Sequence, residues 1–173
     1  RITPDHPGHE WFLEHGATEV ELEALAASSP RWDVLGVNFY PWSNRRLVRL
    51  RGGRVRSDAD SPAESLAEVL RLVHDRYRLP LMVTETSATG THVERNLWMR
   101  DTLASVGRVR AEGIPVLGYT WFPMFTMIEW KYRWSRKGPE PHLLHLGLYD
   151  VEPSRGRMER EPTPLVDTYR RVV

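Results

Sequence analysis

The chain has 173 residues, 40% of them hydrophobic and 27% charged, and a formal net charge of +1. That length suits one domain with a real core, and the charge balance gives no overall reason to expect a nucleic acid or an anionic membrane as partner. Cysteine is absent, which excludes disulfides and cysteine metal sites, and no apolar stretch reaches the roughly 20 residues of a membrane-spanning helix.

Apart from Lys131 and Lys137, every basic residue is arginine. With no basic stripe interleaved with stacking aromatics, this bias reads as base composition rather than as a binding surface. The sequence begins at Arg1 rather than Met, so a preceding segment is expected. Residues 1–16, rich in Pro, Gly and His, read as a loop or the end of an earlier element. Thr18-Glu19-Val20-Glu21 forms a capping box, and Val20, Leu22, Leu25 and Ala26 continue as a short helix stopped by Ser28-Ser29-Pro30. Trp32 to Tyr40 is a continuous apolar run broken by Gly36 and Asn38, as expected of a parallel strand covered on both faces. Residues 43–60 are charged and contain Gly52-Gly53, the pattern of an exposed loop or hairpin. Ser61-Pro62-Ala63-Glu64 reads as a second capping box, followed by Leu66, Val69, Leu70 and Val73 at helical spacing.

Pro80 introduces a strand over Leu81–Thr84. Thr91-His92-Val93-Glu94 is a third capping box, whose helix passes Leu97 and Leu103 to about Arg110 before Gly113 and Pro115 end it. Val116–Trp121 is the next strand. An aromatic-rich loop runs on to Trp134, then a polar stretch, then an apolar segment over 143–151, and Thr163-Pro164 opens a last helix through Val166, Tyr169 and Val172. Strands alternating with crossover-length helices imply a parallel sheet. The fold class is therefore α/β, and no internal repeat is present.

Chemistry gathers at the strand ends. Glu85 ends the Leu81–Thr84 strand, where α/β barrels place catalytic groups. From position alone it reads either as a catalytic carboxylate or as a structural glutamate in a connecting loop. Tyr40 can donate a hydrogen bond to a carboxylate on the neighbouring strand, and Asn38 can bind a ligand hydroxyl; the alternative is that Tyr40 and Trp42 are rim packing. Trp121 and Trp130 offer flat apolar faces to a sugar ring, and Glu129 can accept from its hydroxyls; the alternative is an aromatic mini-core under a long loop. The spacings His6/His9 and His142/His145 lie in no clear helix and have no matched carboxylate set, so no metal is assigned. With no Gly-x-Gly-x-x-Gly and no P-loop, no cofactor is assigned either.

Taken in order, these segments resemble the C-terminal part of glycoside hydrolase family 1, the β-glucosidase-like (β/α)8 barrels. Asp33 to Tyr40 is similar to that family's sixth strand, D-F-x-G-x-N-Y-Y, and Leu81 to Glu85 to its seventh, Y-I-T-E-N-G. Gly118-Tyr119-Thr120-Trp121 with Ile128-Glu129-Trp130 resembles its eighth strand and loop. Leu146-Gly147-Leu148-Tyr149-Asp150 resembles the segment that follows, and Glu161 through Arg170 the last helix. The resemblance implies that Glu85 is the nucleophile and that Tyr40 orients it. It implies that Asn38, Trp121, Glu129 and Trp130 line a carbohydrate site.

The sequence departs from the pattern at Thr86-Ser87, where the family has Asn-Gly, and at Met124-Phe125-Thr126-Met127, where it has Leu-Asp-Asn. The spacing from Trp121 to Glu129 is one residue longer than the usual pattern. The family's acid/base Asn-Glu-Pro motif is absent, although a retaining glycosidase needs two carboxylates. A complete barrel takes typically ~250 residues. The resemblance thus implies one partial domain over 1–173: about three βα units of a TIM (β/α)8 barrel, with residues 1–31 preceding the sixth-strand-like segment. The expected partners are a carbohydrate substrate and the N-terminal half of the barrel or an oligomeric partner, with no nucleic acid and no membrane. A non-catalytic sugar-binding or scaffold protein of the same descent is the rival reading.

Overall fold

The structure is a computed structural model that describes residues 2–28, 31–59, 61–154 and 157–172. The chain divides into two compact units, Arg1–Asp33 and Val34–Val173.

The first unit holds two helices, α1 (His9–Glu14) and α2 (Glu19–Ala27). Helix α1 stands where the sequence reads as a loop or the end of an earlier element. Trp11 and His15 are one helical turn apart, their rings stack at 4.1 Å, and the His15 Nδ1 lies 2.7 Å from the Trp11 carbonyl oxygen. That side chain thus adds a second bond to a last-turn carbonyl that the His15 N–H already meets at 3.2 Å. The capping box of α2 is present: the Glu21 N–H donates to Thr18 Oγ1 at 3.3 Å and the Thr18 N–H to Glu21 Oε2 at 2.8 Å. Ser28 caps the other end, while Ser29 and Pro30, expected to stop the helix, lie outside the described residues.

The second unit is built on a three-stranded parallel sheet in the order β1-β4-β5. In chain order its elements are β1 (Leu35–Asn38), β2 (Arg45–Arg49), β3 (Val55–Ala59), α3 (Ser65–Tyr77), β4 (Leu81–Thr86), α4 (His92–Ala111) and β5 (Val116–Trp121). Then follow β6 (Met127–Ile128), β7 (Leu143–Leu144), β8 (Tyr149–Ser154), β9 (Arg157–Pro162) and α5 (Leu165–Arg170). Besides the sheet, the described residues form two antiparallel hairpins, β2–β3 and β8–β9, and a short antiparallel pair, β6–β7, joined by a long loop.

Strand β1 is shorter than the apolar run suggests, since Trp32 and Val34 are exposed and only Leu35–Asn38 pairs with β4. The second capping box does not form. The Ser61 hydroxyl is taken by the Asn44 backbone, from whose N–H it accepts and to whose carbonyl it donates. The chain therefore enters α3 through i→i−3 turns at Ser65, Leu66 and Ala67, and Glu64 caps without a side-chain bond. The third box is present on α4, with the Thr91 N–H donating to Glu94 Oε2 at 2.8 Å. The β8–β9 hairpin was not legible in the sequence, because β9 is exposed along its whole length and shows no alternation.

The core lies on one face of the sheet. Val37, Phe39, Leu81, Val83 and Val116 pack with Leu66 and Leu70 of α3, Met99, Val106 and Val109 of α4, and Leu165 of α5. Each fully buried aliphatic side chain contributes about 1.5–3 kcal/mol of transfer free energy. The opposite face carries Gly36 and Asn38, both exposed, with Met82 and Thr84 half-buried. No described helix is long and apolar enough to cross a membrane.

Candidate active site

Strict alternation along β4 would send Glu85 the same way as Leu81 and Val83, into the helices. The strand avoids this with one extra residue. Val37 pairs with Val83 but Asn38 pairs with Glu85, and on the other side Tyr119 pairs with Val83 and Trp121 with Thr86. Seen from both neighbours, β4 bulges between Val83 and Glu85, and a bulge re-aims the side chains beyond it. Val83 and Thr86 are both fully buried, and the Trp98 indole N–H donates to Thr86 Oγ1 at 2.9 Å. Thr84 and Glu85 between them share the open face: Thr84 Oγ1 donates to Asn38 Oδ1 at 2.7 Å, and Glu85 is the register partner of that same Asn38.

Tyr40 lies two residues beyond Asn38, on the same side. Its hydroxyl donates to Glu85 Oε2 at 2.7 Å, the length of a charge-assisted hydrogen bond. Between them Phe39 points the other way, buried and stacked on Trp98 with centroids 5.8 Å apart. Its N–H donates to the Glu85 carbonyl at 2.9 Å. Tyr40 is held in turn by stacking on Trp42 at 5.0 Å and by a bond from its N–H to Ser43 Oγ. Burial, then the hydrogen bond to Glu85 and its charge, pushes the Tyr40 phenol well above its ordinary range, so at neutral pH it stays a donor.

Asn38, Tyr40 and Glu85 are therefore brought together. Trp121 joins them through the pairing of its strand with Thr86, but its ring is only 4% exposed and its indole N–H donates to the Leu146 carbonyl at 2.9 Å. Glu129 and Trp130 sit on the loop beyond. The Glu129 carboxylate meets Lys131 Nζ at 3.0 Å and His142 Nδ1 at 3.8 Å. Trp130 is exposed, with the Arg133 guanidinium 4.8 Å from its ring centre. Among the described residues, neither of these two shares a hydrogen bond or ion pair with Glu85 or Tyr40. His6, His9, His142 and His145 each bond a nearby Gly, Glu, Ser or Thr group, and no group of three or more metal-ligating side chains forms among the described residues.

A second polar centre escaped the sequence reading. Arg95 of α4 is 1% exposed and grips Asp150 with two bonds, Nη1 to Oδ1 at 2.9 Å and Nη2 to Oδ2 at 2.7 Å, while Nη1 also donates to the Gly147 carbonyl. His92 Nε2 lies 2.8 Å from Asp150 Oδ2. Burial raises the Asp150 pKa, but the Arg95 and His92 hydrogen bonds outweigh it and hold the carboxyl below its ordinary value. This clamp fixes the 146–150 segment, which supplies the carbonyl that holds Trp121. Its signal was present in the sequence: Arg95 falls on the buried stripe of Trp98, Met99, Thr102, Val106 and Val109, where a charge demands a partner.

A carboxylate, aimed by a phenol at the C-terminal end of a parallel strand, defines a class of α/β protein with its polar site on the strand-end rim. Solved structures narrow the fold. A family 1 β-glucosidase from Thermotoga maritima superposes with a TM-score of 0.76 at 16% identity, over 99% of this chain and 41% of that one. The same enzyme in complex with glucoimidazole gives 0.74 at 17% identity. A β-glucosidase from Exiguobacterium marinum gives 0.68 at 19% identity, over 90% of this chain and 37% of that one. The chain thus has a glycoside-hydrolase-like fold and resembles a C-terminal piece of a family 1 β-glucosidase, spanning about two fifths of the length of these structures. No family model and no curated protein matches it.

Proposed function

We propose that the chain is the nucleophile-bearing C-terminal part of a retaining β-glycosidase barrel, contributing about three of the eight βα units. The observation that carries this reading is the 2.7 Å hydrogen bond from the Tyr40 hydroxyl to Glu85, set on a bulged strand in a fold shared with β-glucosidases. Glu85 would attack the anomeric carbon and displace the aglycone, whose oxygen takes a proton from the acid/base carboxylate; water, deprotonated by that same group, would then hydrolyse the glycosyl-enzyme. Tyr40 holds one carboxylate oxygen and leaves the other free to attack. Asn38, Trp121, Glu129 and Trp130 are assigned to the sugar site.

The acid/base carboxylate would come from outside this chain. Within the described residues β1 and β5 are the outer strands of the sheet, and one face is open where parallel sheets are ordinarily covered on both. The partner that fits is the rest of the barrel. A mechanism-based 2-fluoroglycoside, added to the full-length protein, labels Glu85 on this reading, and peptide mapping locates the label. A label on another residue, or turnover with no label, overturns it. The 173-residue chain by itself is expected to turn over no aryl glycoside.

A second reading is a non-catalytic sugar-binding barrel. The residues that follow Glu85 favour it, since Thr86-Ser87 stand where the family has Asn-Gly. Sugar binding without any glycosyl-enzyme would decide for this alternative.

A further inference from the structure

The arginine bias of the sequence is not spread evenly. Arg45, Arg46, Arg49, Arg51, Arg54 and Arg56 all lie on the β2–β3 hairpin, whose carboxylates among the described residues reduce to Asp58. Some of these arginines are engaged: Arg45 donates to Ser57 Oγ and to the Ser57 carbonyl, and Arg56 pairs with Asp58 at 3.0 Å. Arg49, Arg51 and Arg54 are exposed, and their side chains make no hydrogen bond or ion pair within the described residues. They surround the tip, which turns through Gly52 and Gly53 at φ +78° and +77° and is closed by the Leu50 N–H donating to the Arg54 carbonyl at 2.8 Å.

Three unpaired guanidinium groups on one tip repel one another unless an anion lies between them. A protein whose formal net charge is only +1 has gathered them in one place.

The hairpin's position gives the anion a context. It leaves the end of β1 directly after Tyr40, and its base is pinned by the Ser61 hydroxyl on the Asn44 backbone. Five paired positions, Arg45 to Arg49, then carry the tip out from that base, roughly 17 Å at the rise of an antiparallel strand. The arm thus springs from the same strand end that carries Tyr40, the partner of Glu85.

Two other polyanions fit less well. Residues 45–59 contain no aromatic side chain, so bases of a single-stranded nucleic acid have nothing to stack on. Apolar and basic residues are mixed on both faces: Arg45, Leu47, Arg49 and Val55 share one, and Arg46, Val48 and Arg56 the other. A surface helix or hairpin that lies on a membrane segregates them.

We propose that the β2–β3 hairpin is an anion-binding arm and that the substrate is an anionic glycan. Its neutral ring occupies the Glu85 site, and its flanking sulfate or carboxylate groups are held by Arg49, Arg51 and Arg54. This rests on the glycosidase reading for the context of the arm, but binding to the arm is measured without turnover. The planar fork of arginine matches both groups bidentately.

The test uses the full-length protein, isothermal calorimetry and three probes: cellotetraose, cellotetraose sulfated at its reducing-end residue, and cellotetraonate, whose one carboxylate lies beyond neutral rings. The variant R49Q/R51Q/R54Q is expected to bind at least one anionic probe roughly tenfold more weakly, the sum of three exposed ion pairs, and cellotetraose unchanged. Which anionic probe loses affinity names the group. The variant R49K/R51K/R54K, which keeps the charge, retains most of the binding, and added salt weakens the anionic probes alone.

An affinity of the glutamine variant for both anionic probes equal to that of the wild type overturns the proposal. So does a parallel loss of cellotetraose binding, or tighter binding of phosphatidylglycerol vesicles or duplex RNA than of either anionic glycan. A protein that binds the anionic probes through these arginines but is not labelled at Glu85 refutes the catalytic reading and leaves the arm standing.

Discussion

Replacing Tyr40 by Phe removes one hydroxyl and almost nothing else. The ring keeps its stack on Trp42 at 5.0 Å, and Phe39 keeps its place against Trp98, so the end of β1 holds its course. What is lost is the 2.7 Å bond to Glu85 Oε2. A hydrogen bond to a charged group is worth about 1.5–3 kcal/mol, which at 1.36 kcal/mol per decade is roughly a 10- to 150-fold change in rate. The loss should fall on kcat rather than KM, because the hydroxyl aims the nucleophile and is not assigned a contact with the sugar. The assay is steady-state hydrolysis of an aryl β-glycoside by the full-length protein, with the rate of inactivation by the 2-fluoroglycoside as a second readout. A urea melt in parallel should move little, which separates lost aim from lost fold. If Y40F stays within about twofold of wild type on both readouts, Tyr40 does not position Glu85, and the reasoning from this hydrogen bond fails.

Three further outcomes follow from the same geometry. The raised Tyr40 phenol owes its shift first to burial and then to Glu85, so Glu85→Gln should lower its ultraviolet titration toward the ordinary value near 10 without reaching it; an unchanged titration would show that the two groups do not interact. Arg95→Met leaves Asp150 buried without its main partner and should cost about 3–5 kcal/mol in urea unfolding, whereas R95M/D150L should recover most of it. Because Asp150 is held below its ordinary value in the folded state, its contribution is complete above about pH 4 and is lost as pH falls through the lower folded value; that acid limb should be missing from the stability profile of R95M. Finally, a Cβ on Gly36 would sit 2.9 Å from both Thr84 Cγ2 and Oγ1, so Gly36→Ala should destabilise by about 1–3 kcal/mol, and adding Thr84→Ala should relieve it.

What the sequence disclosed and what it hid have physical causes. Helices α2 and α4 were legible because their capping boxes are complete in local sequence. The second box, at Ser61, failed because its hydroxyl is claimed by Asn44 across the base of the hairpin, a contact that local pattern cannot reveal. Strands β4 and β5 were legible as apolar runs between helices, but β1 was overread, since Trp32 and Val34 supply hydrophobicity without pairing. The meeting of Tyr40 with Glu85 could be foreseen from two adjacent strand ends. The bulge that turns Glu85 outward could not, because it exists only in the register of β4 against both neighbours. The Arg95–Asp150 clamp stayed hidden for the related reason that its two halves lie far apart in sequence and only one of them looks out of place.

The bulge in β4 has a consequence for how this site can be altered. Which face the carboxylate occupies is set by the number of residues between Val83 and Thr86, not by their identity. Point substitutions over 81–86 can erase or weaken the carboxylate, but they leave position 85 facing the same way. Removing one residue turns it into the helix layer, where an ionised side chain has no place. The orientation of the site is thus encoded as a length, robust to mutation by exchange and fragile to mutation by deletion.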